Sequence, residues 1–307
     1  MYHAAMRVDH VLLAVANLDR AIETFRDRLG MRAFAGGVHP GRGTHNGLIH
    51  FGSAYVELIA AHDTTHARAQ TIARHVATGD APYTFAVALL DIGRELTGLG
   101  ERGLMPGPIR DGSRETPDGQ RLRWQAALLA PGPSVSPEFP EPPFVIEWIR
   151  DENGMTWLRE RVSLATHALP YGRLHAIVMA SNDPPDLAAQ FVRHFGWEIT
   201  ARQDWQCVLR TPNGDHVNPE IGPAPAVVIA APRSEGDAGM ASMNRALRRR
   251  IERHGPGFVG IAIETADLDA VVTGLRERSV RVEEHGDRYA TIDPDDAHGA
   301  LIEIVST

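Results

Sequence analysis

Three histidines and one acid lie close together in the stretch HPGRGTHNGLIHFGSAYVELIA, which begins at His39. His45 and His50 follow within a dozen residues, and Glu57 stands in the alternating segment after them. Neutral imidazole is a common metal ligand. The spacings H-x5-H and H-x4-H, however, match none of the short chelating motifs, which place two ligands one helical turn apart or across a tight turn. By itself the stretch is weak evidence for a metal site.

Composition restricts the class of protein. The 307 residues include 43% hydrophobic and 23% charged residues, typical of a globular protein with room for two domains. The net charge of -8 and the pI near 6.0 disfavour nucleic acid or an anionic membrane as the main partner. A single cysteine, Cys207, excludes an intramolecular disulfide and a cysteine-rich zinc site. The N-terminus has too short an apolar run for a signal peptide, and we expect a cytoplasmic protein that acts on a small molecule.

The elements that position these side chains belong to a repeated unit. Four segments combine a short apolar strand, a polar turn and an amphipathic helix: DHVLLAVANLDRAIETFRDRLG, YTFAVALLDIGRELTGLGERG, LHAIVMASNDPPDLAAQFVRHFG and VGIAIETADLDAVVTGLRERS. Each has a candidate helix N-cap, namely Asn17, Asp91, Asn182 or Asp183, and Asp267. Aligning the four strands on His10, Phe85, His175 and Gly260 indicates an internal repeat.

Several short alternating stretches separated by turn residues follow each helix, as MRAFAGG, HNGLIHFG and AYVELIA follow the first. This order predicts four β-α-β-β-β modules in an α+β fold. Two modules make a domain, so we expect one domain over residues 1–164 and a second over 165–307, with the break marked by Pro170 and Gly172. The proline-rich segment 130–143 is interpreted as a loop inside module two, because the strand FVIEWIR follows it.

In the order of these motifs the chain resembles the vicinal oxygen chelate superfamily, which includes glyoxalase I, extradiol dioxygenases and fosfomycin-resistance proteins. DHVLLAV, HPGRGTHN and YVELIA are most similar to the glyoxalase-like branch. The resemblance covers nearly the whole chain. It implies that each pair of βαβββ modules wraps a cup-shaped mixed sheet around a metal ion.

The resemblance also implies a ligand set, because the family's metal ligands lie on the first and last strands of each module. Carried over by position, the N-terminal domain offers His10, Glu57 and Glu147, with Phe85 at the fourth position. We therefore expect these three residues to hold one divalent ion, either Fe, Mn, Ni, Zn or Co. Glu57 and Glu147 are also the candidate catalytic groups, since one glutamate of such a site can act as a base.

The C-terminal domain keeps two of its four positions, His175 and Glu303. Gly260 stands where a histidine would, and the last strand of module three, AVVIAA, has no acid. Two protein ligands rarely hold a metal. We expect His175 and Glu303 to form a buried ion pair or a substrate contact, in a domain that supports the catalytic one.

Strand alternation places His10 on one face with Val8 and Leu12, and Glu57 on one face with Tyr55 and Ile59. An acid among apolar neighbours is costly unless it is paired or ligated. A metal site and a buried, hydrogen-bonded trio of His10 with the two glutamates both satisfy this requirement.

The segment HPGRGTHN lies between the second and third strands, where glycine allows a tight turn at the rim of the cup. His39 and His45 are candidate substrate-binding residues, with Asn46 as an amide donor. Bracing the loop by hydrogen bonds is an equally good interpretation. His50 is interpreted as an ordinary strand residue.

Three functions fit these residues. The first is a metal-dependent, glyoxalase-like isomerase or lyase that stabilises the enediolate of a small substrate with a carbonyl or vicinal oxygens. The second is a non-haem iron dioxygenase of the extradiol type, which needs two histidines and one glutamate and so would require His45 or His50 as a substitute ligand. The third is a metal-free small-molecule-binding or resistance protein. The oligomeric state is open, because four modules complete both cups within one chain.

Overall fold

The computed structural model describes residues 6–115, 121–149, 163–211, 223–233 and 241–307. These residues form two eight-stranded sheets and a small two-stranded sheet. Within them, no helix is both long and apolar enough to cross a membrane. The predicted boundary at residues 164 and 165 lies beside a stretch outside the described residues and stays a prediction.

The N-terminal sheet is built from the first two modules. Its strands are β1 (Arg7–Ala14), β2 (Ala33–His39), β3 (Thr44–His50), β4 (Tyr55–Ala61), β5 (Ala81–Ala88), β7 (Arg110–Glu115), β8 (Arg121–Ala127) and β10 (Phe144–Trp148), while β6 (Leu104–Pro106) and β9 (Leu129–Pro131) pair separately. The helices are α1 (Leu18–Glu23), which continues as a π-helical segment (Thr24–Arg28), α2 (Ala67–His75) and α3 (Ile92–Glu101).

The C-terminal sheet is built from the last two modules. Its strands are β11 (Tyr171–Ala180), β12 (Glu198–Gln203), β13 (Gln206–Arg210), β14 (Ala226–Ala230), β15 (Gly257–Thr265), β16 (Val282–His285), β17 (Tyr289–Ile292) and β18 (Leu301–Ser306). Its helices are α4 (Pro184–Phe195), α5 (Ala241–His254) and α6 (Leu268–Glu277), with a 3-10 segment at Pro294–Asp296.

Both sheets have the same strand order. The first runs β2-β3-β4-β1-β5-β10-β8-β7 and the second runs β12-β13-β14-β11-β15-β18-β17-β16. In each module the first strand pairs with the last in parallel, and the two modules of a domain join through antiparallel first strands, β1 with β5 and β11 with β15. The predicted α+β fold of four βαβββ modules in two domains is confirmed.

The module helices begin where the sequence predicts. Asn17, Asp91, Asp183 and Asp267 each accept a hydrogen bond from the backbone N–H three residues ahead. Asp183 is therefore the cap of α4, and Asn182 is not. Because the same turn chemistry precedes every module helix, the repeat is visible in the sequence itself.

Each sheet presents one face to a core and the other to a cup. Apolar residues on the helix-covered faces of both sheets form a single core together with α1, α3, α4 and α6. Hydrogen bonds join the two halves across this core, as Trp197 Nε1 donates to Met6 O at 2.8 Å and Tyr171 Oη donates to Leu29 O at 2.8 Å. Among the described residues, the opposite faces carry four separate apolar clusters, each much smaller than this core, which leaves room for polar groups.

The connection between the two modules of each domain forms a further helix over one end of the cup. In the N-terminal domain α2 places Ile72 against Leu12, Ala14 and Ile59. In the C-terminal domain α5 packs on the equivalent end of its sheet. The edge strands β2 and β7 also approach each other, so the N-terminal sheet curls nearly into a barrel.

The first strand of each domain contains a β-bulge, and the predicted alignment is therefore wrong by one residue in modules two and three. In the β1–β5 pair the register shifts at Asp9, so that His10 lies opposite Ala86. In the β11–β15 pair it shifts at His175, so that Ala176 lies opposite Ala262. The counterpart of His10 in module three is therefore Ala176, and His175 corresponds to Asp9.

The cup position of module two is corrected in the same way. Phe85, the expected counterpart of His10, packs in the core, and its neighbour Ala86 faces the cup. The bulge also breaks the expected alternation, because Val8 belongs to the core whereas His10 does not. Glu57 shares the cup face with Ile59, as expected, because Ile59 packs against Leu12 and Ala14 on that face.

Gly260 occupies its position because of backbone packing. A Cβ added at this residue would lie 2.0 Å from the carbonyl oxygen of Leu301 on the paired strand β18. The close approach of β15 to β18 thus requires a residue without a side chain. The packing of the two strands explains the glycine, so its presence is not evidence that a metal-binding histidine was lost at this position.

We expect Gly260→Ala to lower the free energy of unfolding by about 1–3 kcal/mol, because the strands must separate to admit the methyl group. Gly93→Ala is the control, since a Cβ at this exposed position of α3 would meet only Asp91 Oδ1 at 3.6 Å. The control should be neutral or stabilising by up to about 1 kcal/mol. Urea unfolding measures both, and equal effects would contradict the close approach of the two strands.

Candidate active site

The N-terminal cup gathers polar side chains from four adjacent strands. Asp9 and His10 come from β1, Glu57 from β4, Asn46 from β3 and His39 from the end of β2. Residues paired directly across strands share a face, and the bulge at Asp9 turns this acid to the same side as His10. Except for His39, all of these residues are buried.

Hydrogen bonds and ion pairs connect these groups in series. Asp9 Oδ2 lies 2.8 Å from His10 Nδ1, and His10 Nε2 lies 3.4 Å from Glu57 Oε2. Asn46 Nδ2 donates to Glu57 Oε1 at 2.9 Å and lies 3.2 Å from His39 Nε2. The result is a continuous chain Asp9–His10–Glu57–Asn46–His39.

His10 is held rigidly in the middle of the cup. Its ring stacks on that of Tyr55 with 4.5 Å between the ring centroids, and it packs edge-to-face with Phe144 with 5.5 Å between the centroids. Burial alone would lower the pKa of His10, but the hydrogen bonds and charges of Asp9 and Glu57 hold it above its ordinary value. Because both ring nitrogens face carboxylates, the imidazolium form is favoured.

Glu57 is ionised in spite of its burial. Desolvation would raise its pKa, but the hydrogen bond from His10, the charges of His39 and His10 and the hydrogen bond from Asn46 lower it to about 2. The carboxylate is therefore present across the physiological pH range. It supplies a fixed negative charge at the bottom of the cup.

His39 has the opposite protonation preference. Burial is the main cause that lowers its pKa, and the charges of Arg42, Arg68 and Arg114 lower it further, although Glu57 opposes them. The His39 side chain is 15% exposed and that of His10 is 4% exposed, so a molecule that enters the cup reaches His39 first. Its Nε2 lies 3.7 Å from Glu57 Oε1, and its Nδ1 lies 2.8 Å from the Thr44 hydroxyl.

Four arginines surround the mouth of this cup. Arg42 lies between β2 and β3, Arg68 lies on α2, and Arg110 and Arg114 lie on the cup side of β7. Burial lowers the pKa of Arg42, and the charges of Arg68 and Arg110 lower it further. Among the described residues, no side-chain hydrogen bond or ion pair reaches Arg42. A protein with a net charge of -8 thus concentrates positive charge at this opening, which favours an anionic ligand.

Glu147 does not join the cup, and its expected position is wrong. Its Oε2 accepts a hydrogen bond from Ile92 N at 2.7 Å, at the first turn of α3. On the same strand Val145 packs in the core, whereas Ile146 lies on the cup side. Strand alternation therefore turns Glu147 to the helix-covered face, where it caps α3 and lies on the other side of the sheet from His10.

The described residues do not fit the metal site that the resemblance implies. His10 and Glu57 face each other, but no group of three or more His, Cys, Asp or Glu side chains in the described part of the chain is arranged to hold a metal ion. The cup contains a second histidine, His39, but within the described residues it completes no metal-binding group with His10 and Glu57. His45 pairs with Ala60, on the face opposite Asn46, and its ring contacts His62 at 5.2 Å.

His45 therefore lies outside this cup, whereas His39 and Asn46 face it as expected. His175 is also displaced from its expected partner. Its Nδ1 lies 2.8 Å from Glu264 Oε1, an acid that also accepts a hydrogen bond from Arg173. The predicted pairing of His175 with Glu303 is wrong, because the bulge turns the histidine toward Glu264.

Sequence reasoning missed Asp9 and the arginines. Asp9 immediately precedes His10 in RVDHVLLA, and only the bulge brings the two to one face. Arg42 is visible in HPGRGTHN, but an arginine in a glycine-rich loop carries no local signal of orientation. Arg68 lies on a helix that the module pattern does not include.

Comparison with known proteins agrees with this architecture. A family model described as Glyoxalase-like domain matches residues 8–195. The chain therefore belongs to the glyoxalase-like domain family, within the vicinal oxygen chelate superfamily. No curated protein matches it.

Solved structures share the fold at low sequence identity. A hypothetical protein from Staphylococcus aureus has 14% identity and a TM-score of 0.67 over 98% of this chain and 100% of that chain. A mutant of 4-hydroxymandelate synthase from Streptomyces coelicolor has 14% identity and a TM-score of 0.58, covering 99% and 93%. A xylose isomerase-like TIM barrel/4-hydroxyphenylpyruvate dioxygenase fusion protein has 14% identity and a TM-score of 0.55, covering 99% of this chain and 50% of its own. At this identity the likeness shows the fold alone.

The hydrogen bond from Ile92 N to Glu147 should stabilise the start of α3. Glu147→Ala should lower the free energy of unfolding by about 1 kcal/mol, because Ile92 N loses its acceptor at the start of α3. Glu147→Gln keeps an acceptor oxygen and should stay close to the unmodified protein. Urea unfolding checks both variants, and loss of ligand binding in Glu147→Gln with unchanged stability would instead place this residue in the site.

Proposed function

We propose that the chain is an enzyme of the isomerase or lyase type, whose active site is the N-terminal cup. Its substrate is a small organic anion with a carbonyl group next to the reacting C–H bond. One observation carries the proposal: a histidine with a lowered pKa, His39, lies 3.7 Å from the ionised Glu57 beneath a ring of arginines.

Binding is the role of the arginines. Arg42 is desolvated and unpaired among the described residues, so an anionic group of the substrate supplies the partner that it lacks. Arg68 is fixed by its hydrogen bond to Tyr83 Oη at 3.0 Å and by stacking at 5.0 Å over the Tyr83 ring. A fixed cation at the mouth orients the substrate with its carbonyl end toward His39.

Proton transfer is the role of His39. In the neutral tautomer with Nδ1–H donating to Thr44, Nε2 carries a lone pair. A substrate that displaces the contact of Nε2 with Asn46 Nδ2 presents to this lone pair the proton on the carbon next to the carbonyl. The electron pair of that C–H bond moves into the carbonyl group and forms an enolate. The Glu57 carboxylate stabilises the imidazolium that results, and Arg42 stabilises the negative oxygen.

The remaining residues keep this pair in position. His10 fixes one oxygen of Glu57, and Asn46 holds the other oxygen near His39. Return of the proton to a different atom completes an isomerisation, whereas loss of a leaving group from the neighbouring carbon completes an elimination. No step is assigned to a metal ion, because the cup does not assemble the expected ligands.

Hydrogen exchange in heavy water tests the proposal on a panel of candidate substrates. Purified protein is incubated in D2O with 2-oxo acids and phosphorylated hydroxy carbonyl compounds, and deuterium incorporation is followed by NMR. We expect exchange with at least one compound. His39→Gln and Glu57→Gln should each lower its rate by about 10²–10⁴-fold.

His45→Gln is the matched control, because this histidine lies on the face of the sheet opposite His39 and Glu57 and should leave exchange unchanged. Treatment with a chelator should also leave the rate unchanged. Loss of exchange on chelation with recovery on adding a divalent ion would contradict the metal-free step. Saturable binding without exchange of any compound would contradict the assignment as an enzyme and favour a binding protein.

A further inference from the structure

The C-terminal cup contains an acid that the proposed reaction does not use. Glu303 on β18 lies directly opposite Ala262 of β15 and Thr291 of β17. Because cross-strand partners share a face, its side chain points into the concave side of the sheet. The residue is only half-buried, so a molecule that enters the cup can reach it.

The side chains that line the cup around Glu303 are small and apolar. They consist of Ala176, Ala226 and Ala262, with Val208, Val228 and Val305 packed beside them. At one end α5 closes the cup with Met243, Ala246 and Leu247. Alanine and valine side chains are short, so they leave the middle of the concave face open to a ligand.

Glu303 differs from the other acids on this face. Glu264 accepts hydrogen bonds from Arg173 and is paired with His175, and Glu283 accepts one from Ser242 N at 3.1 Å. No hydrogen bond or ion pair within the described residues reaches the Glu303 carboxyl. Burial raises its pKa to about 7. An acid left unpaired in an apolar cup is costly, so a partner from outside the chain is the simplest explanation.

The charge of this surface selects the kind of partner. Glu264 projects from β15, Glu283 from β16 and Tyr289 from β17, and the helix α5 contributes its apolar face. Burial raises the pKa of Tyr289, and the negative charges of Glu303 and Glu283 raise it further. The basic groups of this face include Arg173 and His175, which both pair with Glu264, and Arg210 of β13, which lies opposite Glu198 of β12. The carboxyls of Glu283 and Glu303 therefore make the middle of this cup acidic, whereas arginines surround the N-terminal one.

We propose that the C-terminal cup is a second binding site, which takes a small organic ammonium ion. The apolar part of the ligand packs on the alanine and valine walls, and its charged nitrogen pairs with the Glu303 carboxylate. This site is separate from the N-terminal cup and does not depend on the reaction proposed there.

Binding of a cation must be linked to the ionisation of Glu303. Near pH 7 about half of this carboxyl is protonated, and only the carboxylate pairs with an ammonium ion. Binding below pH 7 therefore releases a proton. The affinity should fall by about tenfold for each pH unit below 7 and become constant above it.

Isothermal titration of the full chain with butyltrimethylammonium tests the proposal, because the charge of this probe does not change with pH. We expect saturable binding, weakening as the pH is lowered from 7 to 5. A neutral, water-soluble analogue in which a tert-butyl group replaces the trimethylammonium head, 3,3-dimethylbutan-1-ol, should bind at least tenfold more weakly than the probe. Glu303→Gln should also lose at least tenfold in affinity, and it is expected to fold because it removes a carboxyl that burial disfavours.

Two further variants distinguish binding in this cup from a general electrostatic attraction of the probe to the acidic protein. Ala262→Val keeps the acid but fills the cup, and it should weaken binding. Glu284→Gln removes an exposed acid of β16 that pairs with Arg276, and it should leave binding unchanged. Failure of the probe to bind the unmodified protein at millimolar concentration, or equal affinity in folded Glu303→Gln, would overturn the proposal.

Discussion

The bulge at Asp9 is the constraint on which the N-terminal cup depends. One extra residue in β1 turns both Asp9 and His10 to the concave face, so that an imidazole lies between two carboxylates. Buried charges are tolerated only when each has a partner, and removal of one partner typically costs about 3–5 kcal/mol. The bulge therefore allows an ionised Glu57 inside the sheet, and the role proposed for His39 as a base depends on this carboxylate.

The second domain has a β-bulge at the equivalent position of its first strand, but the side chains around this bulge are arranged differently. Its bulged residue is His175, and the position equivalent to His10 is Ala176. With no imidazole in the middle of the cup, the acid on β18 has no internal partner among the described residues, and the walls become small and apolar. One scaffold thus supports a basic cup and an acidic cup, which illustrates that a fold positions groups without fixing their chemistry.

Local signals explain how much of the architecture the sequence could predict. The caps Asn17, Asp91, Asp183 and Asp267 and the strands between turns are short-range features, and all four module helices begin where these caps indicate. Glu57 and Asn46 lie in the cup as predicted because no bulge interrupts the paired segment of β3 and β4.

The remaining features depend on register. A shift of one residue moves a side chain to the other face of a sheet, which is why the sequence pattern misaligns Phe85 and His175. Glu147 has the residue type of a ligand, but its side of the strand is decided by the packing of Val145 against the core. Long-range proximity, such as that between Arg114 of β7 and His39 of β2, follows from closure of the sheet and has no sequence signal.

We propose that a proton lies between His10 Nε2 and Glu57 Oε2 and that His39 is the neutral base. Nitrogen NMR of histidine-labelled protein over a pH titration tests it most directly. We expect protons on both nitrogens of His10, whose pKa is held above its ordinary value by Asp9 and Glu57, and a neutral His39, whose pKa is lowered by burial. An unprotonated His10 Nε2 at pH 7 beside an ionised Glu57, or a positively charged His39, would contradict the account.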